Sequence, residues 1–257
     1  MEANLVEIFS SIQGEGPDVG ASTLFVRFGA CDLRCRWCDS PHTWPRAERC
    51  RIERRRGTGE FREVPNPVTL ETLLEAAREL EAPRHRFVSL TGGEPLLQAE
   101  AAGEAARALR ALGPRIHLET HGLLADALLR VLPHVDVVSM DWKLASDVRR
   151  ANEPKGVPPA PFHGEHELFL ARARGAPRVV VKIVVTQASE DAEIAEAVAA
   201  IARTAPDATL VLQPVTPHGP VRERPSAARM MAIAGRAEAT LRDVRVIPQT
   251  HPIYGAL

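Results

Sequence analysis

Three cysteines within eight residues are the group in this sequence best suited to bind a metal. Cys31, Cys35 and Cys38 have the spacing C-x3-C-x2-C. The chain opens with MEANLVEIFS and shows no secretory signal, so clustered thiols indicate metal binding or catalysis rather than disulfides. Three thiolates can hold a four-iron cluster and leave one iron open to a ligand. The spacing also allows a structural zinc site with His42 as fourth ligand, so both alternatives remain open on spacing alone.

A second candidate site follows a later apolar run, where residues 91–95 read Thr-Gly-Gly-Glu-Pro. Glycines let the backbone approach a ligand closely, and the Glu94 carboxylate can hold an ammonium group. Further polar residues end other apolar runs, namely Glu119, Ser139, Asp141, Lys143 and Gln213. Lys182 stands within an apolar run and needs a partner, for which Glu119 and Asp141 are candidates.

The elements that position these residues alternate along the chain. Continuous apolar, β-branched runs predict strands buried on both faces at 23–28, 86–93, 115–120, 135–143, 178–186, 208–215 and 244–249. Helical spacing separates them at 69–82, 97–112, 122–132, 190–204 and 226–242. This alternation predicts an α/β fold, a partial β/α barrel, in which ligands bind at the carboxyl ends of the strands.

Two segments interrupt the alternation. Residues 45–67 are arginine-rich and residues 151–164 are proline-rich. Both are interpreted as surface insertions, so residues 1–257 are predicted to form one domain. Cys50, within the first insertion, is not expected to be a cluster ligand. The arginines of the same insertion are interpreted as a solvated charge run, namely Arg51, Arg54, Arg55 and Arg56.

Composition excludes several classes of protein. The 257 residues are 45% hydrophobic and 25% charged, with a formal net charge of −1, which argues against a disordered or fibrous chain. A protein whose main task is to bind nucleic acid or an acidic membrane surface needs a strong positive net charge, which this chain does not have. No apolar run approaches the roughly 18 residues of a membrane span. We expect a cytoplasmic protein that binds neither nucleic acid nor membrane.

The cysteine spacing resembles that of radical S-adenosylmethionine (SAM) enzymes. An aromatic residue, Trp37, precedes the third cysteine, and the Gly-Gly-Glu turn follows at the next buried run. The resemblance implies a 4Fe–4S cluster whose open iron is chelated by SAM, inside a partial barrel of the radical SAM type.

Further motifs are similar to the 7-carboxy-7-deazaguanine synthase family within that superfamily. They are Ser-Ser-Ile-Gln-Gly-Glu-Gly at 10–16, Phe-Val-Arg-Phe at 25–28 and Asp-Ser at 39–40. The resemblance implies a lyase that converts 6-carboxy-5,6,7,8-tetrahydropterin to 7-carboxy-7-deazaguanine with loss of ammonia, in queuosine and related 7-deazapurine biosynthesis. It also implies a Mg²⁺ ion, an electron donor such as flavodoxin or ferredoxin, and a homodimer.

The resemblance assigns roles to individual residues. It implies that Glu119 and Arg27 are catalytic, and that Ser40 binds Mg²⁺. Substrate contacts are implied for Ile12, Gln13, Gly14, Glu15, Arg27, Thr91 and His251. Contacts to SAM are implied for Trp37, Asp39, Gly92, Gly93, Glu94, Ser139, Asp141, Lys143 and Gln213.

Several of these residues have simpler interpretations. Gln13 and Glu15 are also compatible with a solvated glycine-rich turn, Arg27 with an internal salt bridge, Ser40 with a helix cap and His251 with a surface position. For the whole chain, the alternatives are another radical SAM enzyme, such as a glycyl-radical-activating enzyme, and a non-enzymatic zinc-binding protein.

Overall fold

A computed structural model describes residues 1–154 and 156–255 of the chain. Its strands are β1 (Glu2–Ala3), β2 (Leu5–Ile12), β3 (Ser22–Phe28), β4 (Leu33–Cys35), β5 (Arg49–Glu53), β6 (Phe61–Pro65), β7 (Val68–Thr69), β8 (Phe87–Gly92), β9 (Arg115–Thr120), β10 (Val137–Asp141), β11 (Val148–Arg150), β12 (Arg178–Val185), β13 (Thr209–Pro214) and β14 (Val244–Val246). Its α-helices are α1 (Leu70–Glu79), α2 (Ala99–Arg110), α3 (Ala125–Val131), α4 (His163–Ala173), α5 (Asp191–Thr204), α6 (Ala227–Glu238) and α7 (His251–Tyr254).

The main sheet has the strand order β14-β13-β12-β10-β9-β8-β3-β2-β5-β6. Strands β3, β8, β9, β10, β12, β13 and β14 run parallel to one another, whereas β2 pairs antiparallel with β3. Within the described residues, β14 and β6 are the two ends of this order and do not pair, so the sheet is an unclosed barrel. The predicted α/β partial barrel is confirmed.

Each predicted strand and helix is present, most of them shorter than predicted. Helix α1 begins as expected after Thr69, whose hydroxyl accepts the N–H of Thr72 at 3.2 Å. The longest elements that were not predicted are β2 and α4, and several short ones, such as β4 and β11, were not predicted either. Helix α4 lies directly after the proline-rich segment, and its polar residues are not confined to one stripe, so its sequence carries little helical periodicity.

The arginine-rich segment 45–67, which was interpreted as a surface insertion, contributes two strands to the main sheet. It contains β5 and β6, and β5 joins the main sheet by pairing parallel with β2. Cys50 and Ile52 alternate with arginines along β5 and are fully buried in the core. This alternation is the pattern of a half-buried strand, and the high charge of the segment hides it.

One layer of apolar side chains closes the amino-terminal end of the barrel. Phe87, Val137, Val180 and Val211 form a separate buried cluster contributed by four parallel strands. Polar side chains occupy the same strands closer to their carboxyl ends. The lumen is therefore a blind cavity that opens at the end where α/β folds bind ligands. No helix among the described residues has the length and apolar character needed to cross a bilayer.

Candidate active site

A cavity of about 420 Å³ opens at the carboxyl ends of the strands and is lined by most of the predicted site residues. From the first 93 residues it is lined by Ile12, Gln13, Gly14, Glu15, Arg27, Cys31, Cys35, Trp37, Cys38, Asp39, Ser40, Thr91, Gly92 and Gly93. From the remainder it is lined by Glu119, Ser139, Asp141, Lys143 and His251. Of the predicted residues, Glu94 and Gln213 lie outside this lining.

The cysteine loop is held between two neighbouring segments. Strand β4 pairs antiparallel with β11, and this places Cys35 opposite Val148. Beyond β4, the N–H of Arg36 donates to the backbone oxygen of Asp147 at 3.1 Å. The Asp147 carboxylate is itself fixed by the hydroxyls of Thr186 at 2.9 Å and Ser189 at 2.6 Å. The loop is therefore positioned by backbone pairing and by a buried carboxylate, before any metal binds.

The three thiols suit a soft-metal centre. Cys31, Cys35 and Cys38 are free thiols on the wall of one cavity. Burial raises the pKa of Cys31 to about 11 and that of Cys35 to about 12. Metal binding must therefore displace protons from these thiols. Within residues 1–154 and 156–255, no three His, Cys, Asp or Glu side chains are grouped at the spacing of a single bound metal ion.

Donor groups next to the thiols are also compatible with a bound cofactor. The indole N–H of Trp37 has no hydrogen-bond partner among the described residues. The Lys143 ammonium lies 4.7 Å from the centre of the Trp37 ring. An unpaired buried donor beside free thiols leaves hydrogen-bonding capacity for a ligand. These residues fit an iron–sulfur cluster and a polar cofactor bound next to it.

The Gly-Gly-Glu turn differs from expectation at its glutamate. Glu94 is fully buried, and its carboxylate accepts hydrogen bonds from the N–H of Leu96, the hydroxyl of Thr120 and the N–H of His121, at 2.8–2.9 Å. Both oxygens are thus engaged within the protein, where they tie the turn to the end of β9. The surface that this turn presents to the cavity comes from Thr91, Gly92 and Gly93.

Gly93 is required because two backbone segments approach it closely. A Cβ at this position would overlap the carbonyl group of Ala30 and lie 2.8 Å from the carbonyl oxygen of Thr43. Ala30 directly precedes Cys31, so any side chain here pushes against the cysteine loop.

We expect Gly93→Ala to lower the stability of the protein by about 1–3 kcal/mol, because the opposing atoms are backbone and cannot rotate away. Thermal unfolding and iron content per chain measure the effect, and both should fall. Gly235→Ala is the matched control, since its Cβ meets no atom within 4 Å and alanine favours the interior of α6. A Gly93→Ala protein with the wild-type melting temperature and iron content contradicts this role.

Two lysines and two carboxylates form a buried network on one side of the cavity. The Lys182 ammonium lies 3.1 Å from Asp141 Oδ1 and also pairs with Glu15, while Lys143 Nζ donates to Asp141 Oδ2 at 2.7 Å. Burial raises the pKa of Asp141, but the two lysines lower it further, to about 2. Burial alone would depress the pKa of Lys182, but Asp141 and Glu15 outweigh it and hold that pKa above its ordinary value. The predicted Lys182–Asp141 pairing is confirmed, whereas Lys182 pairs with Glu15 rather than Glu119.

A buried histidine fixes the backbone that carries Lys143. His166 Nε2 accepts the N–H of Lys143 at 2.8 Å, and Nδ1 lies 2.8 Å from the carbonyl oxygen of Gly122. This pairing requires the neutral ring with its proton on Nδ1. Burial lowers the pKa of His166 to about 3.

We expect His166 to make the stability of the protein depend on pH. Its pKa is near 6.5 when unfolded and about 3 when folded, so the unfolded state binds the proton more readily between these values. The contribution of neutral His166 to the free energy of unfolding is complete above pH 6.5. It is lost as the pH falls towards 3, at roughly 1.4 kcal/mol per pH unit. Urea unfolding at pH 7 and pH 5 should show a smaller difference for His166→Gln than for the wild type. His134→Gln, at a half-buried surface position, is the control. Equal differences for His166→Gln and the wild type contradict the assignment.

Glu119 and Gln13 form the floor of the cavity. Glu119 Oε1 accepts from Gln13 Nε2 and Ser89 Oγ, and Oε2 accepts from Thr91 Oγ1, each at 2.8 Å. Gln13 is only 4% exposed, so the solvated-turn interpretation is wrong for it. His117 also lines the cavity, with Nδ1 at 3.4 Å from Gln13 Nε2, and burial lowers its pKa. His117 was not among the predicted site residues, although it precedes Glu119 by two residues and therefore shares its face of β9.

The segment after β14 covers the opening of the cavity. Gln249 Nε2 donates to Glu15 Oε1 at 2.5 Å and to Asp39 Oδ2 at 3.1 Å. The N–H of Thr250 donates to the carbonyl oxygen of Gly14 at 2.9 Å. A Cβ on Gly14 would lie 2.6 Å from His251 Nδ1, so only glycine leaves room for this histidine. His251 is therefore a cavity residue, and the simpler surface interpretation does not apply.

Comparisons with known proteins agree with this geometry. The model of the radical SAM superfamily matches residues 25–201. The chain is 38% identical to the 7-carboxy-7-deazaguanine synthase of Geobacter sulfurreducens, over 99% of this chain and 98% of that protein. It is 36% identical to the synthase of the same name from Methanopyrus kandleri, over 97% and 92% of the two chains. The chain belongs to the 7-carboxy-7-deazaguanine synthase family of radical SAM enzymes.

The fold of this family is also found by structural comparison. The crystal structure of QueE from Escherichia coli superposes with a TM-score of 0.63 and 23% sequence identity, covering 98% of this chain and 95% of that one. Membership of the radical SAM superfamily implies a 4Fe–4S cluster and SAM as cofactors, and it favours iron over zinc at the three cysteines.

Ser40 and Gln213 were expected to contact Mg²⁺ and SAM, respectively, and the structure shows where each of them lies. Ser40 lies on the cavity wall and makes no capping hydrogen bond, since its hydroxyl donates to Asp39 Oδ1 at 3.1 Å. Ser40 is the residue that precedes the 3-10 turn Pro41–Thr43, as the helix-cap interpretation required, but its side chain does not cap that turn. Gln213 is buried beside the cavity, where its Nε2 donates to Glu15 Oε1 at 3.3 Å and its Oε1 has no partner among the described residues.

Proposed function

We propose that this chain converts 6-carboxy-5,6,7,8-tetrahydropterin to 7-carboxy-7-deazaguanine with loss of ammonia. The observation that carries the proposal is a single cavity that joins three free cysteines to a floor of hydrogen-bonding groups and to an arginine. A radical enzyme needs the reacting carbon close to its metal centre and shielded from water. A blind lumen with the cysteine loop at its mouth meets both needs.

The floor of the cavity suits the ring of a pterin. The amino group and the adjacent ring N–H of a pterin are neighbouring donors, which a carboxylate can accept together. Glu119 at the floor and Glu15 at the side of the cavity are the available carboxylates, and each is fixed in place by donors of the protein. We assign Gln13, Glu15, Thr91 and Glu119 to the ring, with Ile12, Gly14 and His251 covering it.

Arg27 is the residue for the substrate carboxylate. Its Nε donates to Glu7 Oε1 at 2.8 Å, so the internal salt bridge that the sequence allowed for Arg27 is present. That pair uses one edge of the guanidinium and leaves the Nη atoms free to bind a second carboxylate in bidentate fashion. Arg27 therefore orients the substrate while Glu7 orients Arg27.

Cys31, Cys35 and Cys38 would hold the cluster, and Trp37, Asp39, Gly92, Gly93, Ser139, Asp141 and Lys143 would hold SAM. When bound, the cluster and SAM would supply the radical chemistry that starts the reaction of the substrate. The protein excludes water, fixes the ring and handles the proton that must be lost as the ring contracts. Glu119 is the carboxylate that we assign to this proton, because it faces the lumen and Gln13, Ser89 and Thr91 hold it there.

Several further parts of the proposal rest on the family resemblance. We propose Mg²⁺ bound through the Ser40 hydroxyl, because hard oxygen donors suit this ion. We also propose an external electron donor of the flavodoxin or ferredoxin type, a homodimer, and a single domain for the whole chain.

Anaerobic reconstitution tests the proposed function. We expect a brown protein that dithionite bleaches, and that consumes the pterin while SAM is regenerated in each turnover. Formation of 5′-deoxyadenosine without loss of the pterin would instead favour a glycyl-radical-activating enzyme. A colourless protein that retains zinc would contradict the enzyme assignment.

A further inference from the structure

We infer that Arg51 binds the carboxylate of the substrate together with Arg27 and is a specificity determinant for a carboxylated pterin. The identity of the ligand rests on the proposed function. The inference reverses the interpretation of Arg51 as part of a solvated charge run, because Arg51 lines the cavity.

The pairing of three neighbouring strands places Arg51 at the site. Glu7 on β2 is the register partner of Arg27 on β3 and also of Arg51 on β5. Side chains at paired positions point to the same face of a sheet. The result is a row Arg27–Glu7–Arg51 across the sheet, and all three residues line the cavity.

The charges in this row do not balance. Arg27 Nε lies 2.8 Å from Glu7 Oε1, and Arg51 Nη1 lies 3.5 Å from Glu7 Oε2. Two guanidinium groups thus share one buried carboxylate. Glu63 on β6 is also a register partner of Arg51, but its carboxylate pairs with Arg49 at 2.9 Å, so one positive charge remains in excess at the cavity wall. A bound anion would neutralise this excess, and a carboxylate matches the planar fork of each guanidinium.

Aromatic rings hold both guanidinium groups in place. The guanidinium carbon of Arg51 lies 4.1 Å from the centre of the Phe61 ring, and that of Arg27 lies 5.4 Å from the centre of the Phe9 ring. Stacking on a ring reduces the freedom that a long side chain loses when it binds.

Arg51 is also accessible to a ligand. Its side chain is 48% exposed, compared with 18% for Arg27 and 8% for Glu7. The row therefore runs from the buried wall of the cavity to its edge, with Arg51 at the entrance. A substrate carboxylate that reaches Arg27 passes within reach of Arg51.

The experiment compares two ligands that differ only at the carboxylate position. Dissociation constants of 6-carboxypterin and 6-methylpterin are measured for the cluster-loaded wild type and Arg51→Gln, together with the KM and kcat for 6-carboxy-5,6,7,8-tetrahydropterin. Glutamine keeps part of the stem over Phe61 and removes the charge. Arg49→Gln is the matched control, because Arg49 lies on the same strand, pairs with Glu63 at 2.9 Å and does not line the cavity.

We expect Arg51→Gln to raise the KM and the dissociation constant of 6-carboxypterin roughly tenfold, with kcat little changed. Binding of 6-methylpterin should not change, Arg51→Lys should be intermediate, and Arg49→Gln should match the wild type. An unchanged affinity for 6-carboxypterin, or an equal loss for both pterins, overturns the inference. Failure of the wild type to turn over the tetrahydropterin contradicts the proposed function instead, and the binding comparison still tests Arg51. A wild type that binds neither pterin overturns both.

Discussion

Replacement of Cys35 by alanine is expected to abolish both the iron–sulfur cluster and the cleavage of SAM. In the proposed site three thiolates hold the cluster, and two would not retain it in a site that must also leave one iron open. The fold should survive, because Cys35 lies on the short strand β4 and its backbone pairs with β11 whichever side chain it carries. Iron content, visible absorbance and 5′-deoxyadenosine formation measure the result after anaerobic reconstitution.

Cys50→Ala is the matched control for this experiment. Cys50 is fully buried in the core and is not part of the cavity lining. Its loss removes one small buried group, which we expect to lower stability by about 1 kcal/mol. Iron content and activity should remain at the wild-type level. If Cys35→Ala retains iron and cleaves SAM, the assignment of the cluster ligands is wrong.

Glu119→Gln has the second largest expected effect. The substitution preserves the shape of the side chain and removes both the negative charge and the capacity to accept a proton. We expect kcat for product formation to fall by roughly 10²- to 10⁴-fold, the range of a lost general base. Cluster content and the cleavage of SAM should persist, because Glu119 lies at the floor of the cavity and the cysteines lie at its mouth. Product formation and 5′-deoxyadenosine formation are measured side by side.

Glu53→Gln separates a catalytic role from a structural one. Glu53 is also a buried carboxylate with several donors, among them the N–H of Ser10 at 2.8 Å and the N–H of Gly59 at 3.0 Å. It does not line the cavity. Its replacement should lower stability and leave kcat close to that of the wild type. A similar loss of kcat in both variants would show that Glu119 acts only through the fold.

Some of the site could be read from local spacing alone. The three cysteines, Trp37 and the Gly-Gly-Glu turn are defined by residues a few positions apart, and short-range geometry decides what such groups can bind. Residues at the ends of apolar runs, such as Glu119 and Asp141, were also predictable, because the carboxyl ends of parallel strands share one edge of a sheet.

Other parts depended on contacts between distant segments. The sequence motif marks Glu94 as polar and close to the site, but whether its carboxylate meets a ligand depends on Thr120 and His121, which the fold brings to it. The same holds for Lys182, whose candidate partners in the sequence did not include Glu15.

Arg51 illustrates the limit most clearly. In the sequence it belongs to an arginine-rich stretch in which nothing distinguishes it from Arg54 or Arg55. Only the parallel pairing of β5 with β2 places it opposite Glu7. A shift of one residue in that register would turn its side chain to the other face of the sheet.

The amino-acid sequence by itself determined the family, the cofactor chemistry and the α/β alternation, because motif spacing and hydrophobic period are local properties of the chain. The tertiary structure alone decided which charged side chains share the cavity, since strand register and burial join residues far apart in sequence. That division explains why the cysteine motif could be identified from the sequence, whereas the row Arg27–Glu7–Arg51 and the burial of Glu94 could not.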